Sequence, residues 1–367
     1  VLYTGCQSVP NSIEAADPLA LLPAGQSAYL LVRAQQSPGL TDALSAGART
    51  EGEAALFREL LGRSEEVAIS LGPDGAASVA ARGSYPWGSV GFSLATEPGW
   101  RRVPVSADGN RLIYWTHTAF PLEVLLPNRE LLLAATGEPV GAAAERLLSG
   151  QHGSPVPSAV AEGMRKAAFA LYSTHPRELL RRGRPDTAHR PDPAPRRDTD
   201  PGPDADTDTG SDSDPGRTTA PESGAALRSA LAGIVQNRLL ESVETVLLLS
   251  EAPRSAKGSS EQRRSTDGLS DEAASPNVLE TRVELGFSDE RTARISLVLV
   301  RLSLPNIMAE LERRGLTASG AGEPAESSLT VEREGSSLYV DGLLLNPAAL
   351  GEMFAPGAGS PFPQPRL

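Results

Sequence analysis

The sequence predicts an α+β fold, and three observations carry that prediction. Leu279, Thr281, Val283, Leu285 and Phe287 alternate with Glu280, Arg282, Glu284 and Gly286, the period of a strand with one buried and one wet face. Ala293, Leu297, Val300 and Leu304 then recur at helical spacing. Turn chemistry at Pro73-Asp74-Gly75 and at Ala107-Asp108-Gly109-Asn110 separates short apolar runs. Successive strands are therefore expected to return antiparallel, with the helices set beside the sheet.

The first module is expected to span residues 21–150. Its opening strand, Ser27 to Val32, follows a breaker at Leu21 to Gly25. Helical spacing appears at Leu40 and Leu44 and again at Ala54, Phe57, Leu60 and Leu61, with Gly62 placed to cap the helix. Val67, Ile69 and Leu71 turn through Pro73-Asp74-Gly75 into Ser78 and Ala80. Val90 to Ala95 and Arg101 to Val105 read as a second pair, the latter turning into Leu112 to Thr116. Leu131 to Ala134 is a further strand, and Val140 to Leu148 a closing helix.

The second module, 151–355, opens with a strand at Ala167 to Tyr172, followed by a turn or helix at His175 to Leu180. This opening echoes Gln26 to Val32 in placing an aromatic among small and aliphatic residues ahead of a proline-bearing break. The two modules thus read as a diverged internal repeat. Two segments, 181–222 and 252–277, are polar, charged and poor in large apolar side chains, the composition of disordered insertions. Between them, Leu227, Leu231, Ile234 and Val235 form a helical stripe and Val243 to Leu249 a strand. After the strand at 279–287, Ser288 is expected to cap a helix with Asp289 and Glu290 in its first turn. Pro305 should start a new turn, and Leu329 and Val331 pair through Glu334-Gly335 with Leu338 and Val340. Residues 356–367 form a Pro- and Gly-rich tail.

Composition narrows the function classes. The 367 residues are 40% hydrophobic but only 4% aromatic, so the cores must be aliphatic. A net charge of −12 argues against nucleic acid or an anionic membrane surface as a partner, since both select basic patches. No apolar run reaches the roughly 18 residues that a membrane-spanning helix needs. Four scattered histidines and a single cysteine suggest neither a metal centre nor an internal disulfide, and no cofactor is expected.

That single cysteine, Cys6, follows Gly5 in Leu2-Tyr3-Thr4-Gly5-Cys6. The stretch resembles the lipobox of bacterial lipoproteins, although Tyr3 and Thr4 stand where leucine and a small residue are commoner. The resemblance implies a cut after Gly5, lipid on Cys6, and a signal peptide whose basic and apolar parts precede Val1. It also implies an exported protein held by lipid at the outer membrane or at the periplasmic face of the inner membrane. Residues 1–20 then comprise a signal remnant, the lipidated Cys6 and a tether, Gln7 to Asp17, of flexible composition.

Chemistry is sparse by comparison. No G-x-S-x-G elbow, H-E-x-x-H, phosphate-binding loop or dinucleotide fingerprint occurs. His117 is the best candidate base; His175 reads as a turn residue, and His152 and His189 as loop residues. Asp204 to Gly210 resembles a calcium loop, but its glycine falls one position late and no closing glutamate follows, so a solvated acidic linker is expected. Trp87, Trp100 and Trp115, with Tyr85, Phe92 and Tyr114, either line a ligand pocket or pack the core of one sheet. The leading expectation is a non-catalytic envelope lipoprotein acting in binding or architecture, with envelope proteins as partners. The alternatives are an extracytoplasmic ligand-binding protein using the tryptophan module, and a hydrolase with an unrecognised site around His117.

Overall fold

The computed structural model describes residues 16–36, 58–59, 61–137, 140–150, 153–176, 241–251, 278–313 and 329–347, except for positions 75, 108 and 120, together with residues 13, 315 and 317. Cys6, the acidic 204–210 stretch, the stripe at Leu227 to Val235, both polar insertions and the tail lie outside the described residues, as do His152 and His189.

Among the described residues, twelve strands form one antiparallel sheet. The first half supplies β1 (Ala28–Val32), β2 (Ser64–Leu71), β3 (Ala77–Gly83), β4 (Trp100–Ala107), β5 (Asn110–His117), β6 (Leu122–Leu125) and β7 (Leu131–Thr136). The second supplies β8 (Phe169–Ser173), β9 (Val243–Glu251), β10 (Leu279–Phe287), β11 (Thr330–Glu334) and β12 (Ser337–Leu345). Their spatial order is β11-β12-β10-β9-β8-β1-β2-β3-β7-β6-β5-β4. The α+β class is therefore correct, and the two modules are the two halves of a single sheet.

The halves meet at β1 and β8, whose residues pair from Ala28↔Ser173 to Val32↔Phe169 around the central pair Leu30↔Leu171. β1 is buried at every position because it lies mid-sheet, covered on both faces. From this centre outward the two halves repeat one plan. β1 pairs β2, β2 pairs β3 and β3 pairs β7; likewise β8 pairs β9, β9 pairs β10 and β10 pairs β12. Bulges recur at matching places, at Glu65 against Arg82 and Gly83, and at Glu244 against Gly286 and Phe287. In both halves a helical turn, residues 61–63 or 241–242, runs directly into the strand. The strands opening at Ser27 and Ala167 thus hold equivalent positions, as the repeat requires.

One row of side chains crosses the sheet in register: Val331, Val340, Val283, Leu248, Leu171, Leu30, Ile69, Val79, Ala134 and Val124. Five come from each half. This row faces the helices α2 (Trp87–Thr96) and α5 (Glu290–Arg313). The opposite face is covered by α1 (Pro18–Leu21), α3 (Val140–Ser149) and α4 (Ser158–Lys166), which bury Leu19, Leu147 and Met164 against Tyr29, Leu31, Ala68 and Ala170.

Several expectations need correction. Residues 90–95 form part of α2 rather than a strand: Val90 and Leu94, four apart, face the core while Phe92 is 70% exposed. Gly62 lies within the helical turn it was expected to cap. Asp289, not Ser288, caps α5, its carboxylate accepting from the Thr292 backbone N–H at 2.8 Å. That helix also continues through Pro305, held by buried Val300 and Ser303 before it and Met308 after it. The end of the stretch expected to be a flexible tether belongs to the fold, since Ile13 and Ala16 are core residues and Asp17 caps α1 while pairing with Arg165; residues 7–12, 14 and 15 lie outside the described residues. Strand β6 and helices α1 and α4 were not anticipated.

Candidate functional site

The three tryptophans share the corner formed by α2, β4 and β5. Trp115 on β5 is buried, and Trp100 on β4 packs partly buried against the same cluster. The Trp87 indole N–H donates to the Leu126 carbonyl at 3.0 Å, leaving the ring half exposed. Arg102 stacks its guanidinium over Trp115 at 4.7 Å, a cation–π contact on the sheet's rim. The ring of His117 meets Trp100 edge-on at 5.0 Å, and its Nδ1 accepts from the Ala119 backbone N–H at 3.2 Å. Gly99 makes room for this imidazole; a Cβ there would lie 2.7 Å from Nε2. Tyr85 closes the corner, its hydroxyl 2.8 Å from Ser64 Oγ, and burial pushes its phenol up. Core packing and a half-exposed rim thus coexist here, and the two clefts described next are lined by other residues.

A narrow cavity of about 60 Å³ lies under α3, beside Leu22, Ala80, Leu133 and Arg146. A wider cleft of about 240 Å³ opens where β1, β2 and β3 end, lined by Arg33, Gln35, Gln36, Glu65, Glu66 and Arg82. The second is polar throughout. Burial first, and the nearby Asp17 carboxylate second, push the Glu66 carboxyl up, against the opposing pull of Arg33, Arg82 and Arg165. Nothing in the sequence pattern marked these residues, because they come from the turn after β1 and from β2 and β3, and meet only through the sheet's register.

Large apolar side chains also face solvent on the tryptophan side of the sheet. Trp87 and Phe92 on α2, and Ile295, Val298 and Leu302 on α5, are each about half or more exposed. The helices are equivalent in the repeat, each following the third strand of its half. No group of three metal-ligating side chains occurs among the described residues.

No family model and no curated protein matches this chain. Two crystal forms of a protein named TP0453 do resemble it. Crystal form I superposes with a TM-score of 0.50 at 12% identity, covering 92% of this chain and 96% of TP0453. Crystal form III gives 0.50 at 13% identity, covering 92% and 97%. The chain shares the fold of TP0453. At such identity the likeness extends to the sheet-rich α+β architecture and no further.

Proposed function

We propose that this chain is a non-catalytic lipoprotein of the bacterial cell envelope, anchored by lipid on Cys6 and acting by binding another envelope component. The observation that carries the binding role is the pair of equivalent helices, α2 and α5, that project Trp87, Phe92, Ile295, Val298 and Leu302 into solvent on one side of the sheet. Burying rather than exposing such side chains is favourable by about 1.5–3 kcal/mol each, so a fold that leaves several of them out has a use for them. Anchoring rests on the lipobox-like stretch ahead of Gln7. Among the described residues no helix is long and apolar enough to cross a membrane, and lipid on Cys6 would supply the attachment.

Both parts are tested in one bacterial host. The full-length product is expressed with labelled fatty acid, and with photo-crosslinking residues at Phe92, Leu302 or, as a control on β5, Arg111. Incorporation that disappears in Cys6→Ser, with crosslinks enriched from Phe92 and Leu302, supports the reading. Equal labelling after Cys6→Ser removes the anchor, and equal crosslinking from Arg111 removes the binding face.

A further inference from the structure

The cleft at the ends of β1, β2 and β3 holds opposite charges that the fold brings near one another without joining. Arg33 follows β1, Glu66 lies on β2 and Arg82 on β3, and their side chains share the face that α1 and α4 cover. Several other polar groups on this face are satisfied, although among the described residues the buried Ser70 hydroxyl is not. The Tyr29 hydroxyl donates to the Pro23 carbonyl at 2.9 Å, Arg146 donates to the Leu21 carbonyl at 2.8 Å, Arg82 donates to the Ala16 carbonyl, and Arg165 donates to Asp17 at 2.8 Å. Arg33 and Glu66 differ. Each feels the other's charge, yet among the described residues neither side chain has a hydrogen-bond or ion-pair partner.

The second half of the molecule shows that the fold does not require this arrangement. The residue equivalent to Arg33 is Thr174, whose hydroxyl hydrogen-bonds within the chain, to the Gln26 carbonyl and His175 Nδ1. Glu66 and Arg82 correspond to Thr245 and Gly286, paired in the same register beside the same bulge. There the space is closed: a Cβ on Gly286 would lie 2.2 Å from Thr245 Oγ1. One half fills the position with small, satisfied groups; the other keeps about 240 Å³ open between unjoined charges.

We propose that this cleft binds a small zwitterion of the α-amino-acid class, its carboxylate on Arg33 and its ammonium on Glu66. The chemistry follows from the lining. Two arginines and two glutamates make it neutral overall, which disfavours a phosphate or a bare cation and suits a ligand carrying both charges a few ångströms apart. Gln35 and Gln36, both exposed at the mouth, add amide donors and acceptors for a side chain. The ammonium gives Glu66 a direct ion-pair partner in addition to the more distant arginines, and offsets its burial cost. This inference depends neither on Cys6 nor on the apolar helix face.

The full chain is melted alone and with each common amino acid at about 10 mM, with acetate and methylamine as half-ligands; a ligand well above its Kd stabilises in proportion to the logarithm of its concentration. At least one amino acid should raise the midpoint by about 2 °C or more, while acetate and methylamine do not. Glu66→Gln and Arg33→Gln should each keep a cooperative transition and lose the shift. Calorimetric titration of the wild-type chain provides a check independent of the variants, because the N-acetyl and carboxamide derivatives of the responding amino acid should lose at least tenfold in affinity. The proposal is overturned if no amino acid shifts the midpoint, if acetate alone reproduces the shift, or if binding survives both substitutions or both derivatives.

Discussion

The two halves of the sheet are built to one plan from sequences that have little in common, and their differences separate what the fold needs from what it merely tolerates. Strand pairing, the bulges at Glu65 and Glu244 and the aliphatic cross-sheet row are common to both. The first half adds the β4–β5 hairpin and its tryptophans, whereas the second extends its helix to 24 residues. Apolar alternation in register is therefore the shared requirement. Charges at strand ends and rings at the corner are additions to one half, and such departures from a repeated plan are where function is expected.

The largest effect should come where the central ladder is least symmetric. Phe169 and Ala28 are equivalent positions on β8 and β1, yet Phe169 is fully buried against Val32 while Ala28 faces Ser173. Phe169→Ala should cost about 3–5 kcal/mol, through lost burial and the cavity left beside both halves. Denaturant unfolding measures it. A loss below about 1 kcal/mol would mean that the halves do not depend on this seam, and that the molecule behaves as two units sharing an edge.

The next effect probes the closed position opposite the cleft. Gly286→Ala drives a methyl into Thr245 Oγ1 and should destabilise by about 1–3 kcal/mol. Adding Thr245→Ala should return most of that loss, because the clash is with this one side chain. An additive double variant would show instead that Gly286 is needed for its backbone, and the space argument that distinguishes the two halves would fall.

Much of the plan was legible in the sequence, for reasons that also explain the misses. The alternation from Leu279 to Phe287 and the turns at Pro73-Asp74-Gly75 and Glu334-Gly335 are local, and the strands appear where they predict. Val90, Phe92 and Leu94 alternate as well, but three residues cannot distinguish a strand from a helix turned so that Phe92 faces solvent. Helix α4 carries only Val160, Met164 and a few alanines as apolar residues, too few for a periodic signal. Pro305 is a sound breaker in isolation, overruled here by packing on both sides of it. The union of the modules into one sheet was beyond reach, since β1 and β8 are short, mainly apolar runs whose partners only tertiary structure selects. For the same reason the sequence pointed to tryptophans as the site and passed over Arg33, Glu66 and Arg82.

The smallest effect isolates Glu66 from its uncharged counterpart Thr245. Burial raises the Glu66 carboxyl above its ordinary value of 4.5 in the folded chain. The folded state then holds this proton more tightly than the unfolded state does, so its contribution to stability is fully present below the ordinary range and is lost as pH rises through the raised value. Glu66→Gln removes the titration. Relative to wild type, the variant should therefore gain stability between the ordinary glutamate range and neutral pH, and the gain should be reproduced in unmodified protein by adding the amino acid that raises its melting midpoint. Midpoints of denaturant unfolding at a series of pH values give the curve. If Glu66→Gln instead loses ground toward neutral pH, the ionised carboxylate is stabilised by Arg33, Arg82 and Arg165 after all, and the cleft differs from the Thr245 position as an internal charge network rather than as a space awaiting a partner.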